Sequence, residues 1–173
     1  QDLPVVRRAL QIPVATALLK GRGNYLCLYR LQAAEQEGRL ASPAHVVELR
    51  RIRRWAGRTR SGDIAEIVGV PEASSIWPSV TSTADNCLGS ECPWLDACFL
   101  AQARSAAQAA DIVVINHHLF CADLALRETG FAALLPGVEA VILDEAHQLP
   151  EIATQFFGAS LSGRQLTELA RDT

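Results

Sequence analysis

In Asp111-Ile112-Val113-Val114-Ile115-Asn116-His117-His118-Leu119-Phe120 a β-branched run gives way, at an asparagine, to helix-forming sequence. The helical pattern runs from Asn116 to about Arg127, and Gly130 and Pro136-Gly137 then break the chain. Val138 to Leu143 is a second apolar run of strand length. Two buried strands joined by a helix predict a βαβ unit, with a parallel sheet covered on both faces, so the fold class is α/β. Ligands of such sheets collect at the carboxyl ends of the strands. Asn116-His117-His118 and Asp144-Glu145 are therefore expected along one sheet edge.

The second run leads directly into Asp144-Glu145-Ala146-His147. A carboxylate leaving the end of a strand can hold the water shell of Mg²⁺, and Glu145, one residue on, can orient or deprotonate an attacking water. Such chemistry needs a phosphate cradle, and no G-x-x-x-x-G-K-S/T occurs in the chain. The chain alone is expected not to hydrolyse ATP. Adjacent helical residues diverge by about 100°, so His117 and His118 are read as packing residues of a helix N-terminus and not as a metal pair.

Toward the N-terminus, Pro93 to Ala110 is alanine-rich and reads as an amphipathic helix. Prolines, serines and threonines crowd residues 69–89, which predicts loop. Ser42-Pro43 signals a helix start, through about Gly57, and residues 24–37 form another helix with Asn24 as its expected cap. Before them come a basic turn, Lys20-Gly21-Arg22-Gly23, an apolar stretch at Val14–Leu19 that is a strand or a buried turn, and a short helix over Leu3–Leu10. There is no internal repeat.

Five cysteines punctuate the chain. Cys121 lies in an apolar helix and is read as a small core residue. Cys87, Cys92 and Cys98 are spaced by four and five residues around Gly89 and Pro93, which lets a loop fold three thiolates onto one centre. Cys27, in the first turn of a helix whose free N–H groups favour thiolate, is the candidate fourth ligand. Zn²⁺ and a [4Fe–4S] cluster both suit four cysteines, and the scarcity of C-x₂₋₄-C knuckles favours iron–sulfur.

The chain has 173 residues, is 49% hydrophobic and carries a net charge of −3, which speaks against a general polyanion-binding surface. Charge is nonetheless unevenly placed. Of 16 basic residues only Lys20 is lysine, and Arg50, Arg51, Arg53, Arg54, Arg58 and Arg60 fall within one short stretch. Read alone, the stretch is a solvated helix face; its functional reading is a phosphate-contacting strip, with Trp55 stacking on an unpaired base. No apolar run approaches the roughly 20 residues that span a bilayer, and no secretory pattern opens the chain, so a cytoplasmic location with no membrane partner is expected. The chain contains no methionine, and a piece of a longer protein is expected.

Four blocks, Lys20-Gly21-Arg22-Gly23-Asn24-Tyr25-Leu26-Cys27, Cys87-x₄-Cys92-x₅-Cys98, Val114-Ile115-Asn116-His117-His118-Leu119-Phe120 and Val141-Ile142-Leu143-Asp144-Glu145-Ala146-His147, resemble the DinG and YoaA branch of the XPD-like superfamily 2 DNA helicases. They occur in the family's order and span nearly the whole chain. The resemblance implies a mostly helical iron–sulfur domain joined to part of a parallel-sheet, RecA-like P-loop motor domain. By it, residues 1–23 belong to the first motor domain, 24–110 to the [4Fe–4S] domain, 111–150 to motor strands with the DEAH box, and 151–173 to the start of an arch domain.

The same resemblance implies that Cys27, Cys87, Cys92 and Cys98 ligate the cluster, and that Asp144 and Glu145 form the Walker B element for ATP and Mg²⁺. His147 is expected to couple that site to a neighbouring domain. The parent is expected to unwind DNA 5′ to 3′ in repair or replication, as a monomer near the bacterial nucleoid. Single-stranded or forked DNA is its expected partner, with replication or repair proteins beside it. DNA contacts are expected from Arg50, Arg51, Arg53, Arg54 and Arg58, with Lys20 and Arg22 beside Cys27. The alternative from a different class is a non-catalytic zinc or iron–sulfur nucleic-acid-binding module whose DEAH is vestigial.

Overall fold

A computed structural model describes residues 13–38, 42–128 and 137–158, with positions 5, 8, 9, 11 and 135. Of the helix expected over Leu3–Leu10, positions 5, 8 and 9 are helical and the rest lie outside the described residues, as do Gly130, Pro136 and everything after Gly158. By compactness the chain divides into two units, Gln1–Ile115 and Asn116–Thr173. Among the described residues no helix is long and apolar enough to cross a membrane.

In the first unit, β1 (Thr16–Leu18) and β2 (Ile112–Val114) pair in parallel, Thr16 opposite Ile112 and Leu18 opposite Val114. The ambiguous apolar stretch at Val14–Leu19 is thus a strand. Its start is locked by Asp111, whose Oδ2 accepts the Ala15 N–H at 2.8 Å, while the N–H groups of Asp111 and Ile112 donate to the Ala15 carbonyl. At the other end the Leu19 N–H donates to the Val114 carbonyl at 2.9 Å.

Between the two strands the described residues form helices and loops, with isolated antiparallel bridges pairing Tyr25 with Asp63 and Leu26 with Thr81. Helix α1 spans Leu28–Glu37, α2 Pro43–Ala56, α3 Trp77–Val80 and α4 Phe99–Gln108. Helix α2 starts where the sequence says it should: Ser42 Oγ accepts the His45 N–H at 3.3 Å, with proline at the first helical position. Helix α1 packs on α2 and α3, and α4 packs on β1. Leu31, Leu49, Ile52, Ile76, Val80 and Phe99 form the core of this unit, with Ile52 wholly inaccessible to solvent. Each such side chain contributes about 1.5–3 kcal/mol through removal from water.

Two helix starts differ from expectation. Helix α1 begins at Leu28 with Cys27 as its cap, because the Asn24 side chain donates to the Gly21 carbonyl at 3.1 Å and closes a 3₁₀ turn over Arg22–Asn24 instead. Helix α4 begins at Phe99, since residues 93–97 form successive turns after Pro93.

In the second unit, α5 (His117–Glu128) is capped by Asn116, whose Oδ1 accepts the Leu119 N–H at 2.8 Å. It packs on α6 (Leu149–Phe157), which follows a 3₁₀ turn over Ala146–Gln148. Cys121 is buried, as expected of a core residue. The strand expected over Val138–Leu143 is absent: the described residues there are unpaired, and Ile142 is 95% exposed. A β-branched run becomes a strand only where a neighbour accepts its ladder hydrogen bonds, and among the described residues none does. The partner of β2 is β1, and the shared sheet edge expected for Asn116 and Asp144 is not formed.

Candidate functional site

Cys27 is held from both sides. The Leu26 N–H donates to the Gly62 carbonyl at 2.8 Å and the Cys27 N–H to the Val80 carbonyl at 2.8 Å, which fixes the cysteine at the head of α1. As the N-terminal cap its sulfur makes no cap hydrogen bond of its own, while the backbone N–H groups of Tyr29 and Arg30 in the first turn favour its charged form. Burial pushes the Cys27 thiol above its ordinary value; the two N–H groups act the other way, and the charges of Cys92 and Cys98 push it up again. Cys27 therefore lies within electrostatic reach of two cysteines far from it in sequence.

Those partners sit on a short scaffold. Cys92 closes the 3₁₀ turn Gly89–Glu91 and Cys98 caps α4, so both long helices of the site begin at a cysteine. Trp94, two residues past Cys92, donates its indole N–H to Gln32 Oε1 of α1 at 2.9 Å and ties the cysteine loop to the helix that Cys27 heads. Cys87, at the start of the loop, shares a neighbour with Cys98: both act electrostatically on Arg104 of α4. Cys27, Cys87, Cys92 and Cys98 are all half-buried free thiols. Among the described residues, no three His, Cys, Asp or Glu side chains are close enough together to hold a single metal ion.

Arg104 escaped the sequence reading, being one arginine in an alanine-rich helix. Burial lowers its pKa from the ordinary arginine value, and the neighbouring Arg22 guanidinium lowers it further, against Cys87 and Cys98. Arg22 lies in the 3₁₀ turn just before Cys27.

The arginines of α2 divide into two sets. Arg51 donates from Nη1 to the Gly69 carbonyl, and Arg53 lies 3.5 Å from Glu35 of α1. Lys20, likewise, is paired with Asp63 at 2.5 Å. Arg50, Arg54 and Arg58 are exposed and follow one another at four-residue steps, Arg54 Nε and Arg58 Nε each reaching the backbone carbonyl four residues back at 3.4 Å. Arg50 and Arg54 stand about 6 Å apart along the axis of α2, and Arg58 follows in the turn after the helix ends at Ala56. Trp55 packs against the core instead of standing free to stack on a base.

Asp144 and Glu145 occupy an exposed turn. Asp144 Oδ1 accepts the Glu145 N–H at 3.0 Å, and Glu145 adopts a left-handed backbone, φ 49°, that non-glycine residues rarely take. His147 Nδ1 lies 3.2 Å from Glu145 Oε2. The structure thus pairs the glutamate with the histidine of the same tetrapeptide. His118 packs edge-on against Phe156 of α6, with centroids 6.3 Å apart, which agrees with a packing role.

No family model matches the chain. It is 51% identical over 172 residues to the ATP-dependent DNA helicase YoaA of Escherichia coli K12 and 49% identical to that of Haemophilus influenzae, in each case across 99% of the chain. It is 36% identical, across 90% of the chain, to the ATP-dependent helicase DinG of Mycobacterium tuberculosis. The chain spans about a quarter of the length of these curated relatives, 27% for both YoaA proteins and 25% for DinG. It is a member of the DinG and YoaA group, matching one segment of those longer proteins.

Proposed function

We propose that the chain is the cysteine-rich and DEAH segment of an ATP-dependent DNA helicase, moving 5′ to 3′ in repair or replication, with a [4Fe–4S] cluster on Cys27, Cys87, Cys92 and Cys98. The observation that carries this reading is the Trp94 to Gln32 hydrogen bond, which ties the loop of Cys92 to the helix that Cys27 heads, with Cys98 at the head of α4. The donors suit the group: all four are thiols, which select iron–sulfur or zinc over hard cations. Thiolates on one zinc stand within about 4 Å of one another, given Zn–S bonds of about 2.3 Å. A cubane is larger than one ion and takes its ligands at wider separation, and the spacing of the cysteines along the chain favours it. Bound there, the cluster supplies a cross-link joining α1, the cysteine loop and α4.

The remaining residues take roles that follow from their positions. Arg50, Arg54 and Arg58 are the phosphate strip for single-stranded or forked DNA; Arg51, Arg53 and Lys20, engaged by the Gly69 carbonyl, Glu35 and Asp63, serve the fold. Asp144 and Glu145 are oxygen donors of the kind that meet Mg²⁺ and the attacking water of ATP hydrolysis. The His147 contact orients the Glu145 carboxylate. The exposed apolar run Val141-Ile142-Leu143 suits a strand that completes its sheet within the whole motor domain. The phosphate cradle belongs to the rest of that protein, which acts as a cytoplasmic monomer alongside replication or repair proteins.

Two measurements on the full-length helicase test the reading. Purified without air, it should contain iron and sulfide in equal amounts. Glu145→Gln should bind ATP and Mg²⁺ as before while its DNA-stimulated hydrolysis falls by about 10²-fold or more, because an amide cannot take the proton of the attacking water. Unchanged hydrolysis would replace the motor with a non-catalytic nucleic-acid-binding module.

A further inference from the structure

On α2, Val46, Leu49, Arg50 and Arg53 recur at steps of three and four residues and so share one stripe of the helix. Between this stripe and the end of α1 lies an open groove of about 650 Å³, a size usual for binding sites. Among the described residues Ala34, Val46 and Leu49 give it an apolar floor, and Arg50, Arg53 and Arg54, all exposed, stand along its rim. Gly38, at the C-cap of α1, leaves its end open, since a Cβ there would meet nothing within 4 Å. Arg53 is held at the rim by Glu35 of α1, 3.5 Å away. Among the described residues neither Arg50 nor Arg54 pairs with a carboxylate.

We propose that this groove takes one unpaired base of single-stranded DNA, which lies over Val46 and Leu49 and stacks on the Arg53 guanidinium while the adjoining phosphates meet Arg50 and Arg54. The inference rests on the reading of Arg50, Arg54 and Arg58 as a phosphate strip and adds a base subsite beside it. The floor suits the flat, uncharged face of a base, and guanidinium planes are among the surfaces on which unstacked bases rest. Because Glu35 already restrains Arg53, little side-chain freedom is lost when a base arrives. The positive line also runs on past the groove to Arg58, as a strand that enters and leaves requires. An acidic peptide seated in the groove alone would leave Arg58 outside. A base within a duplex must leave its partner before it can turn into the groove, so the subsite selects single strands.

The test is binding of the full-length protein, without nucleotide, to an oligonucleotide in which a single abasic site is moved one position at a time. Each abasic strand keeps every phosphate and loses one base. At one position the affinity should fall about fivefold or more, the lower end of what stacking a single base contributes. Arg53→Gln should weaken the intact strand by a similar factor, leave its dependence on log salt unchanged and abolish the penalty at that position. Arg54→Gln should instead flatten the salt dependence and weaken intact and abasic strands alike. Val46→Gln, at an exposed position, should reduce the same penalty and is read in place of Arg53→Gln if that variant fails to fold. A scan with no penalised position, or a penalty that neither Arg53→Gln nor Val46→Gln changes, overturns the proposal. So does a flat scan combined with binding of a synthetic peptide of glutamates around one leucine that Val46→Gln removes, which would give the groove to a protein partner. If Arg54→Gln leaves affinity and salt dependence unmoved, the strip reading fails and takes the subsite with it; a flat scan beside an intact Arg54 effect removes the subsite alone.

Discussion

Replacing Gly62 with alanine should loosen the cysteine site from a position that holds no cysteine. Gly62 has φ +64°, in the left-handed region, and its carbonyl accepts the Leu26 N–H next to Cys27. A Cβ there would lie 2.6 Å from Phe99 Cβ and closer still to the ring, and Phe99 follows Cys98 directly. One small residue therefore separates the backbones that carry Cys27 and Cys98. The left-handed backbone costs alanine about 1–2 kcal/mol. Overpacking against Phe99 adds about 1–3 kcal/mol, and the stiffer unfolded chain returns about 0.4–1 kcal/mol. The net loss is about 2–4 kcal/mol, or a urea midpoint lower by about 1–2 M at the slope usual for small domains. Equilibrium urea unfolding is the assay, with the labelling rate of Cys98 by a thiol reagent as the local readout. Gly23→Ala, with open space around its Cβ, is the control and should stay within about 0.5 kcal/mol. Phe99→Leu in the Gly62→Ala background should recover part of the steric loss. A Gly62→Ala midpoint indistinguishable from that of the unaltered chain refutes the argument.

Two further outcomes are expected. In the full-length protein, Arg50→Gln, Arg54→Gln and Arg58→Gln should each weaken single-stranded DNA binding and flatten its dependence on log salt by about 0.7; equal losses for Arg60→Gln would show that the strip has no special role. For the metal-free chain, the Cys27 thiol is raised above its ordinary value, first by burial, so the fold favours its protonated form. That stability is complete below the unfolded thiol value of about 8.5 and is lost as pH rises through the folded value. The urea midpoint should accordingly decline above about pH 8.5, and a midpoint that climbs there would contradict the assignment.

The residues that were legible in sequence are those whose chemistry is local. Ser42-Pro43 announces α2 because a hydroxyl and a fixed φ act within one turn, and Asn116 caps α5 in the same local way. Cys87, Cys92 and Cys98 are expected on one proline- and glycine-bearing loop from their spacing, and that is where they lie, ahead of α4. What sequence missed depends on partners distant along the chain. Val138–Leu143 has the composition of a strand and no described neighbour to pair with. Lys20, Arg51 and Arg53 look like the arginines of the strip until Asp63, the Gly69 carbonyl and Glu35 are seen beside them. Arg104 carries no signal in sequence, because its setting is made by Cys87 and Arg22.

The hydrogen bond from Ala15 to Asp111 joins residues ninety-six positions apart and closes the entire cysteine-bearing excursion at its neck. Bringing the ends of a flexible chain of that length together costs roughly 4 kcal/mol of closure entropy. An excursion that folds first removes this cost, since its two ends already stand one strand spacing apart, about 4.8 Å. Such a neck makes the excursion a graft: a host needs only two adjacent parallel strands to receive it, and gains a sulfur-bearing surface without any change in the register of its own sheet.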